Sequence, residues 1–230
     1  MQAIEFGKHW IEHIGPLQVH FDTLITAWTA MALLIIFSVI ATRKLSIIPS
    51  KLQVFSEMAM DFVEGIAKGQ IGKDGQKHVP LIASLFLFIL ISNLLGQLPW
   101  KLIHLKEGEF ASPTNDLNVT VALALIVSVY YISAGIFKKG LKHFKHYLEP
   151  VWFIAPLNVL EDFTRPLSLS IRLFANILAG EVIIMVLLSF VPLVLPVPMM
   201  LFELFVAFIQ AFVFAVLAAS YISAVTSEHH

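Results

Sequence analysis

Long apolar segments separated by short polar ones make up most of the 230-residue chain. The first unbroken apolar run covers 24–42, and at about 1.5 Å per residue it is roughly 28 Å long, the thickness of the hydrocarbon core of a bilayer. Similar runs cover 79–100 and 117–137. The pattern predicts three upright membrane-spanning helices, with 1–23 as an N-terminal arm outside the membrane.

Residues 51–70 follow a different pattern, in which apolar and charged positions lie on opposite sides of a helix. Phe55 and Ile66 belong to the apolar side, while Glu57 and Lys68 belong to the charged side. Because this segment is too polar to cross a bilayer, we expect it to lie along the interface as an amphipathic helix. A helix packed on a soluble partner would show the same pattern, so that alternative stays open.

Two longer apolar stretches, 151–190 and 199–225, are joined by a proline-rich turn at 191–198. Forty residues of continuous helix would measure about 60 Å, so the first stretch must tilt, bend or project from the membrane. We expect 151–226 to form a hairpin of two long tilted helices. The whole is then an all-α integral membrane protein with five membrane-crossing elements.

Composition and charge agree with this assignment. Hydrophobic residues make up 58% of the chain and charged residues 13%, whereas a soluble domain is nearer about 45–50% and 25%. Ten lysines and arginines fall in 43–77 and 138–145, but only three fall in the N-terminal arm and the loop 101–116. The positive-inside rule therefore predicts an external N-terminus and a C-terminus on the cytoplasmic side.

Several classes of function are excluded by what the sequence lacks. The chain has no cysteine, its nine histidines show no metal-ligand spacing, and basic and acidic residues nearly balance. It contains no glycine-rich phosphate loop and no nucleophile–base pairing. We therefore predict no catalytic site, no metal, no cofactor and no binding to nucleic acid.

Arg172 lies inside the first long stretch, where a permanent positive charge costs about 2.5–3.5 kcal/mol on insertion scales. An arginine cannot escape this cost by losing its proton, so it needs an anionic partner, water, or a route by which it snorkels to the headgroups. Ser168 and Asn176 share its face of the helix. Glu181 points nearly the opposite way and lies about 13.5 Å further toward the outside.

The second long stretch supplies possible partners for these groups. Glu203 and Gln210 share one face, and an antiparallel hairpin can set Gln210 opposite Arg172 and Glu203 opposite Glu181. Two carboxyls in a low-dielectric site cannot comfortably both ionise, so at least one is expected to hold a proton. If these polar residues are not accidental, the carboxyls can exchange protons on one side of a fixed cation. That arrangement favours ion translocation along two offset half-paths.

Other polar residues allow two interpretations. Asn93 in the second span could form an interhelical hydrogen bond or line a pathway. Glu161, Asp162 and Arg165 lie near the cytoplasmic end, where a solvated charged rim is the ordinary arrangement.

The segment 166–181, PLSLSIRLFANILAGE, resembles the signature of subunit a of F-type ATP synthases. The likeness continues through 160–165, 113–118 and 209–212, and it covers most of the chain from about residue 20. It is most similar to the cyanobacterial and chloroplast variety. Such a protein is a non-catalytic stator subunit that contacts a ring of c subunits, b-type peripheral-stalk subunits, the rest of the synthase and membrane lipid.

The resemblance also implies a mechanism. Protons would pass through an outer half-channel to a carboxylate of the rotating ring, and leave through a second half-channel to the cytoplasm, driving ATP synthesis. Arg172 matches the essential arginine between the half-channels, and Glu203 falls where relatives carry histidine or another residue. The residues implied in proton translocation are Arg172, Glu181, Glu203, Asn176, Gln210 and Asn93, with Glu161, Asp162 and Ser168 as candidates for the cytoplasmic exit.

Two other functions remain to be compared with this one. An ion-coupled secondary transporter is often marked by internal repeats, and the long hairpin has no second copy in the sequence. A structural membrane subunit without transport would tolerate Lys or Gln in place of Arg172.

Overall fold

The computed structural model describes residues 11–14, 17–43, 45–97, 112–140, 155–190, 194 and 196–226. The helices in these ranges are α1 (Phe21–Thr42), α2 (Lys51–Ile71), α3 (Val79–Gln97), α4 (Leu117–Lys139), α5 (Ala155–Phe190) and α6 (Pro196–Thr226). Two short 3-10 turns, Gly72–His78 and Pro113–Asn115, precede α3 and α4. Residues 1–10, 15–16, 98–100, 151–154, 191–193 and 195 of the predicted arm, second span and hairpin lie outside the described residues.

Five helical stretches are long and apolar enough to cross a membrane. They are Phe21–Thr42, Lys51–Gln97, Leu117–Lys138, Leu160–Phe190 and Pro196–Thr226, and the second of them contains both α2 and α3. The prediction of an all-α integral membrane protein is therefore confirmed. At about 1.5 Å per residue, the 36 residues of α5 are longer than a bilayer core is thick.

A small antiparallel hairpin precedes the first helix, and the hydrophobic pattern did not predict it. Strands Ile11–Ile14 and Leu17–His20 pair so that Ile11 lies opposite His20. Four-residue strands are too short for an alternating pattern to stand out. Helix α1 begins at Phe21, three residues before the predicted apolar run. The apolar pattern did not mark this start, because Asp22 in the first turn is polar.

Residues suited to capping mark several helix ends. The Ser50 hydroxyl accepts a hydrogen bond from the Gln53 amide at the start of α2, and the Asp116 carboxylate accepts one from the Asn118 amide at the start of α4. Gly72 and Gly140, with φ angles of +79° and +58°, follow the last turns of α2 and α4. Only glycine adopts such angles without strain.

Helix α6 occupies the centre of the bundle and contacts α2, α3, α4 and α5. Small residues allow these close approaches, as is common between membrane helices, and the buried alanines of α6 are Ala207, Ala211, Ala215, Ala218 and Ala219. Larger buried side chains fill the remaining space, among them Ile89 of α3, Tyr131 of α4, Leu173 of α5 and Phe214 of α6. Helix α1 lies at the edge, with most of its apolar side chains exposed.

Helix α2 is buried mainly along its second half. Val63 and Ala67 are buried, and the Phe62 ring lies 5.5 Å from that of Phe86 on α3. Toward its beginning, Phe55 and Met58 remain exposed. The apolar side predicted from sequence therefore divides into a packed half and an exposed half.

Candidate functional site

Two buried acidic side chains lie where α5 and α6 face each other. Glu181 on α5 is 7% exposed and Glu203 on α6 is 2% exposed. The side chain of Asn115, in the turn before α4, donates a hydrogen bond of 2.9 Å to Glu181 Oε2. Glu203 packs directly against the backbone of Gly180, the residue before Glu181. These two acids and Asn115 form what we call the outer cluster.

Gly180 provides the space that the Glu203 side chain fills. A methyl group at position 180 would overlap the Glu203 carboxylate, since its Cβ would lie only 2.6 Å from Glu203 Cδ. Because Glu203 is 2% exposed, its carboxylate has little space into which it can turn. We therefore expect Gly180→Ala to destabilise the assembled protein by about 1–3 kcal/mol, the usual cost of overpacking. Thermal unfolding of the detergent-solubilised complex measures this loss.

Gly65→Ala is the matched control, because a Cβ at position 65 of α2 meets nothing within 4 Å. We expect that change to leave stability equal or slightly higher. In a Glu203→Ala background, Gly180→Ala should cost almost nothing, because the group it displaces is gone. An equal loss in both backgrounds would contradict the proposed overlap.

Arg172 lies nine residues before Glu181 on α5, about 13.5 Å along the helix. Its side chain is exposed, and its Nη2 is 3.5 Å from the hydroxyl of Ser168, a long contact. One turn further along α5, Asn176 donates a hydrogen bond of 2.6 Å to Gln210 Oε1 on α6. The cation and the amide pair form the middle of the site.

A second group of charged residues lies toward the other end of α5, about 10–17 Å from Arg172 along the helix axis. Arg165 Nη2 lies 2.8 Å from Glu161 Oε1, and its Nη1 lies 3.5 Å from Asp162 Oδ1. The hydroxyl of Tyr131 on α4 donates to the same Asp162 oxygen at 3.1 Å. The Arg165 guanidinium also lies 5.4 Å from the ring centre of Tyr221. We call this set the inner cluster.

The inner cluster is more enclosed than a solvated rim. The side chains of Arg165 and Asp162 are 21% and 20% exposed, whereas Glu161 is 57% exposed. Stacking of a guanidinium on aromatic rings is favourable when it is shielded from water. Glu161 is thus the member that faces out, and Asp162 is the member held inside.

The predicted residues fall into separate groups along α5. Glu203 lies within one residue of its predicted neighbour Glu181, but Gln210 bonds Asn176, one turn from the predicted partner Arg172. Asn93 is fully buried and bonds to both the backbone of α6 and the turn before α4.

Sequence reasoning did not assign Asn115, Tyr131 or Tyr221 to these groups. Asn115 lies in the segment 113–118 that carries the family resemblance, and this was the available signal for it. The two tyrosines lie in apolar segments and gave none.

Arg172 and Asn176 are both exposed on α5. The exposed side chains of Ile183, Val186 and Phe190 lie within about 40° of Arg172 around the same helix. An exposed cation on the same side of a helix as exposed apolar side chains indicates a surface that meets lipid or another membrane protein.

The fold and these polar groups define a multi-pass membrane protein with ionisable groups at several depths. Residues 24–223 match the family model described as ATP synthase A chain. The chain therefore belongs to that family, the proton-translocating and non-catalytic subunit a of F-type ATP synthases.

Proposed function

We propose that this subunit carries protons through two half-channels that do not join, separated by Arg172. The observation that supports this most directly is the order of groups along α5: the outer cluster, the amide pair, the exposed arginine and then the inner cluster. Titratable acids stand on both sides of a charge that cannot be neutralised. A proton moving along the helix would meet that charge before it reached the second set of acids.

The outer half-channel delivers protons past Glu181 and Glu203. Glu203 packs against Gly180, the residue before Glu181, so both acids lie on this path and each can take up and release a proton. The Asn115 amide can donate to Glu181 Oε2 whether or not that carboxyl is protonated on its other oxygen. Such a contact keeps the acid oriented throughout the exchange.

The inner half-channel releases protons past Asp162, Glu161 and Ser168. Asp162 is supported by Tyr131 and Arg165, and Glu161 extends from the same helix turn into more open surroundings. Ser168 adds a hydroxyl between this cluster and Arg172. The path so formed leads away from the arginine on the side opposite the outer cluster.

The exposed side of α5 that carries Arg172 is the surface we assign to a ring of c subunits. A ring carboxylate passing Arg172 would give the guanidinium the anionic partner that a membrane-embedded cation requires. After losing its proton to the inner path, the carboxylate is held by the arginine until it reaches the outer one. Each proton then contributes about 2.3 kcal/mol per 100 mV of membrane potential.

Sidedness and the remaining partners follow from the same proposal. We assign the N-terminal hairpin to the outer side and the end of α6 to the cytoplasmic side, as the lysine distribution indicates. The exposed surfaces of α1 and the first half of α2 are then available for lipid and the b-type peripheral stalk. In this arrangement α2 lies along the interface.

Cysteine labelling tests the two half-channels directly, because the chain has no cysteine of its own. We expect Asn115→Cys to react with a membrane-impermeant thiosulfonate reagent added on the N-terminal side only, and Ser168→Cys to react from the opposite side only. The reason is that each half-channel admits water from one side of the membrane. Mass spectrometry of the labelled subunit in the complete synthase, in sealed vesicles of known orientation, measures this reactivity.

Val129→Cys serves as the control, because Val129 is an exposed residue of α4 in an apolar segment. A cysteine facing hydrocarbon stays largely unionised and should react from neither side. Equal labelling of either test position from both sides would argue against separate half-channels.

A further inference from the structure

The short segment 112–116, between α3 and α4, is fixed by buried polar contacts. The Ser112 hydroxyl donates to the Ser92 carbonyl oxygen at 2.9 Å, and it lies 2.6 Å from the Thr114 hydroxyl. Thr114 in turn donates to Asn93 Oδ1 at 2.7 Å. Ser112, Thr114 and Asn93 are all at most 2% exposed, so water does not compete strongly for these bonds.

Asn93 connects this segment to the central helix of the bundle. Its Oδ1 accepts from Thr114, while its Nδ2 donates to the carbonyl oxygen of Ala207 on α6 at 3.3 Å. Close packing adds to the restraint, since a Cβ on Gly96 of α3 would lie 2.5 Å from Ser112 Cβ. The start of the segment is therefore held against both α3 and α6.

The end of the segment is held by Asp116. One carboxylate oxygen accepts from the Asn118 amide and caps α4, and the other lies 2.7 Å from Nδ1 of His20. Asn115 is consequently bracketed by two anchored neighbours, Thr114 and Asp116. Its own side chain is the part that reaches across to Glu181 on α5.

We propose that Thr114 is a positioning residue for proton transfer at Glu181. By bonding Asn93, the Thr114 hydroxyl fixes the turn from which Asn115 donates to the Glu181 carboxylate. A single amide donor on an otherwise loose turn would lose most of its effect to conformational entropy. This inference rests on the proposed role of Glu181 in the outer half-channel, and it assigns Asn93 to the support of the site rather than to the proton path.

Thr114→Val tests the inference, because it keeps the shape of the side chain and removes only the hydroxyl. We expect the rate of proton-driven ATP synthesis per assembled complex in liposomes to fall about fivefold, the effect of losing one buried hydrogen bond. Thr114→Ser, which restores the hydroxyl, should recover most of the rate. If Thr114→Ser assembles normally but synthesises ATP as slowly as Thr114→Val, the inference is contradicted.

A double mutant separates positioning from general damage. In an Asn115→Leu background, which lacks the amide, Thr114→Val should lower the rate no further, because nothing remains to be positioned. An additional loss in that background would show that Thr114 acts through stability instead. If Thr114→Val does not assemble, Thr114→Ala, which also removes the hydroxyl, replaces it in both backgrounds.

Thr120→Val is the matched control for a lost hydroxyl. Thr120 is also fully buried, but its hydroxyl donates within its own helix, to the Leu117 carbonyl at 3.0 Å. We expect the rate of ATP synthesis by the Thr120→Val complex to stay near that of the unmodified protein. If Glu181→Gln leaves synthesis unchanged, the proposed role of Glu181 in the outer half-channel fails, and the positioning role of Thr114 fails with it. If Glu181→Gln is impaired but Thr114→Val is normal, only the positioning role fails.

Discussion

Arg172→Gln is expected to abolish proton-driven ATP synthesis while the synthase still assembles. The substitution removes the fixed charge between the half-channels, so protons could pass without moving the ring, and a ring carboxylate would lose its counterion. Assembly should survive because the Arg172 side chain is exposed and its contact with Ser168 is long. Synthesis by the reconstituted complex under an imposed gradient, with the proton leak recorded in the same vesicles, measures both effects.

Arg172→Lys refines this result by keeping the charge and losing the planar guanidinium. We expect severe impairment as well, because a lysine cannot make the paired hydrogen bonds that an arginine offers a carboxylate. Arg43→Gln is the control, since it removes one exposed positive charge just after α1, away from the site. Normal synthesis by Arg172→Gln would refute the proposed gate.

Glu181→Gln should give the second-largest loss. The amide that replaces the carboxyl cannot bind and release a proton, yet its oxygen can still accept the hydrogen bond from Asn115. We expect the rate of proton-driven synthesis to fall by about a hundredfold, the low end of what a lost proton-transfer group costs. The rate of synthesis is measured as a function of external pH. Because a titratable group has been removed, the pH–rate profile should change its shape, and its maximum should fall.

Glu64→Gln controls for the loss of a carboxylate. Glu64 forms a pair of 2.6 Å with Lys68 on α2, and pairs of this kind near a surface contribute little. Its rate should stay close to that of the unmodified protein. A normal rate for Glu181→Gln would remove Glu181 from the outer half-channel and leave Glu203 as the remaining acid there.

Much of the helical architecture could be predicted because a bilayer imposes simple requirements on sequence. Apolar runs such as 24–42 and 117–137 have to be helical, since lipid satisfies no backbone group. The separation of Arg172 and Glu181 was also predictable, because both residues lie on one helix with a fixed rise. For the same reason Ser168 was expected beside Arg172, and the two side chains are in contact.

Contacts between separate elements could not be predicted in the same way. Asn115 and Glu181 are 66 residues apart, and Tyr131 and Asp162 are 31 apart, so only tertiary packing brings them together. Counting residues outward from the hairpin turn assumed two straight, antiparallel helices. That assumption sufficed close to the turn, at Glu203, and failed by one turn further away, at Gln210.

The bond between Asn176 and Gln210 has a consequence for electrical insulation. An amide has no protonation state to change near neutral pH, so it can orient water but cannot take up the migrating ion. This pair stands between the buried acids and the guanidinium, where a titratable side chain would extend the conducting route toward the opposite compartment. In the proposed mechanism, the two half-channels are therefore separated by two unlike barriers in series, one chemically inert and one electrostatic.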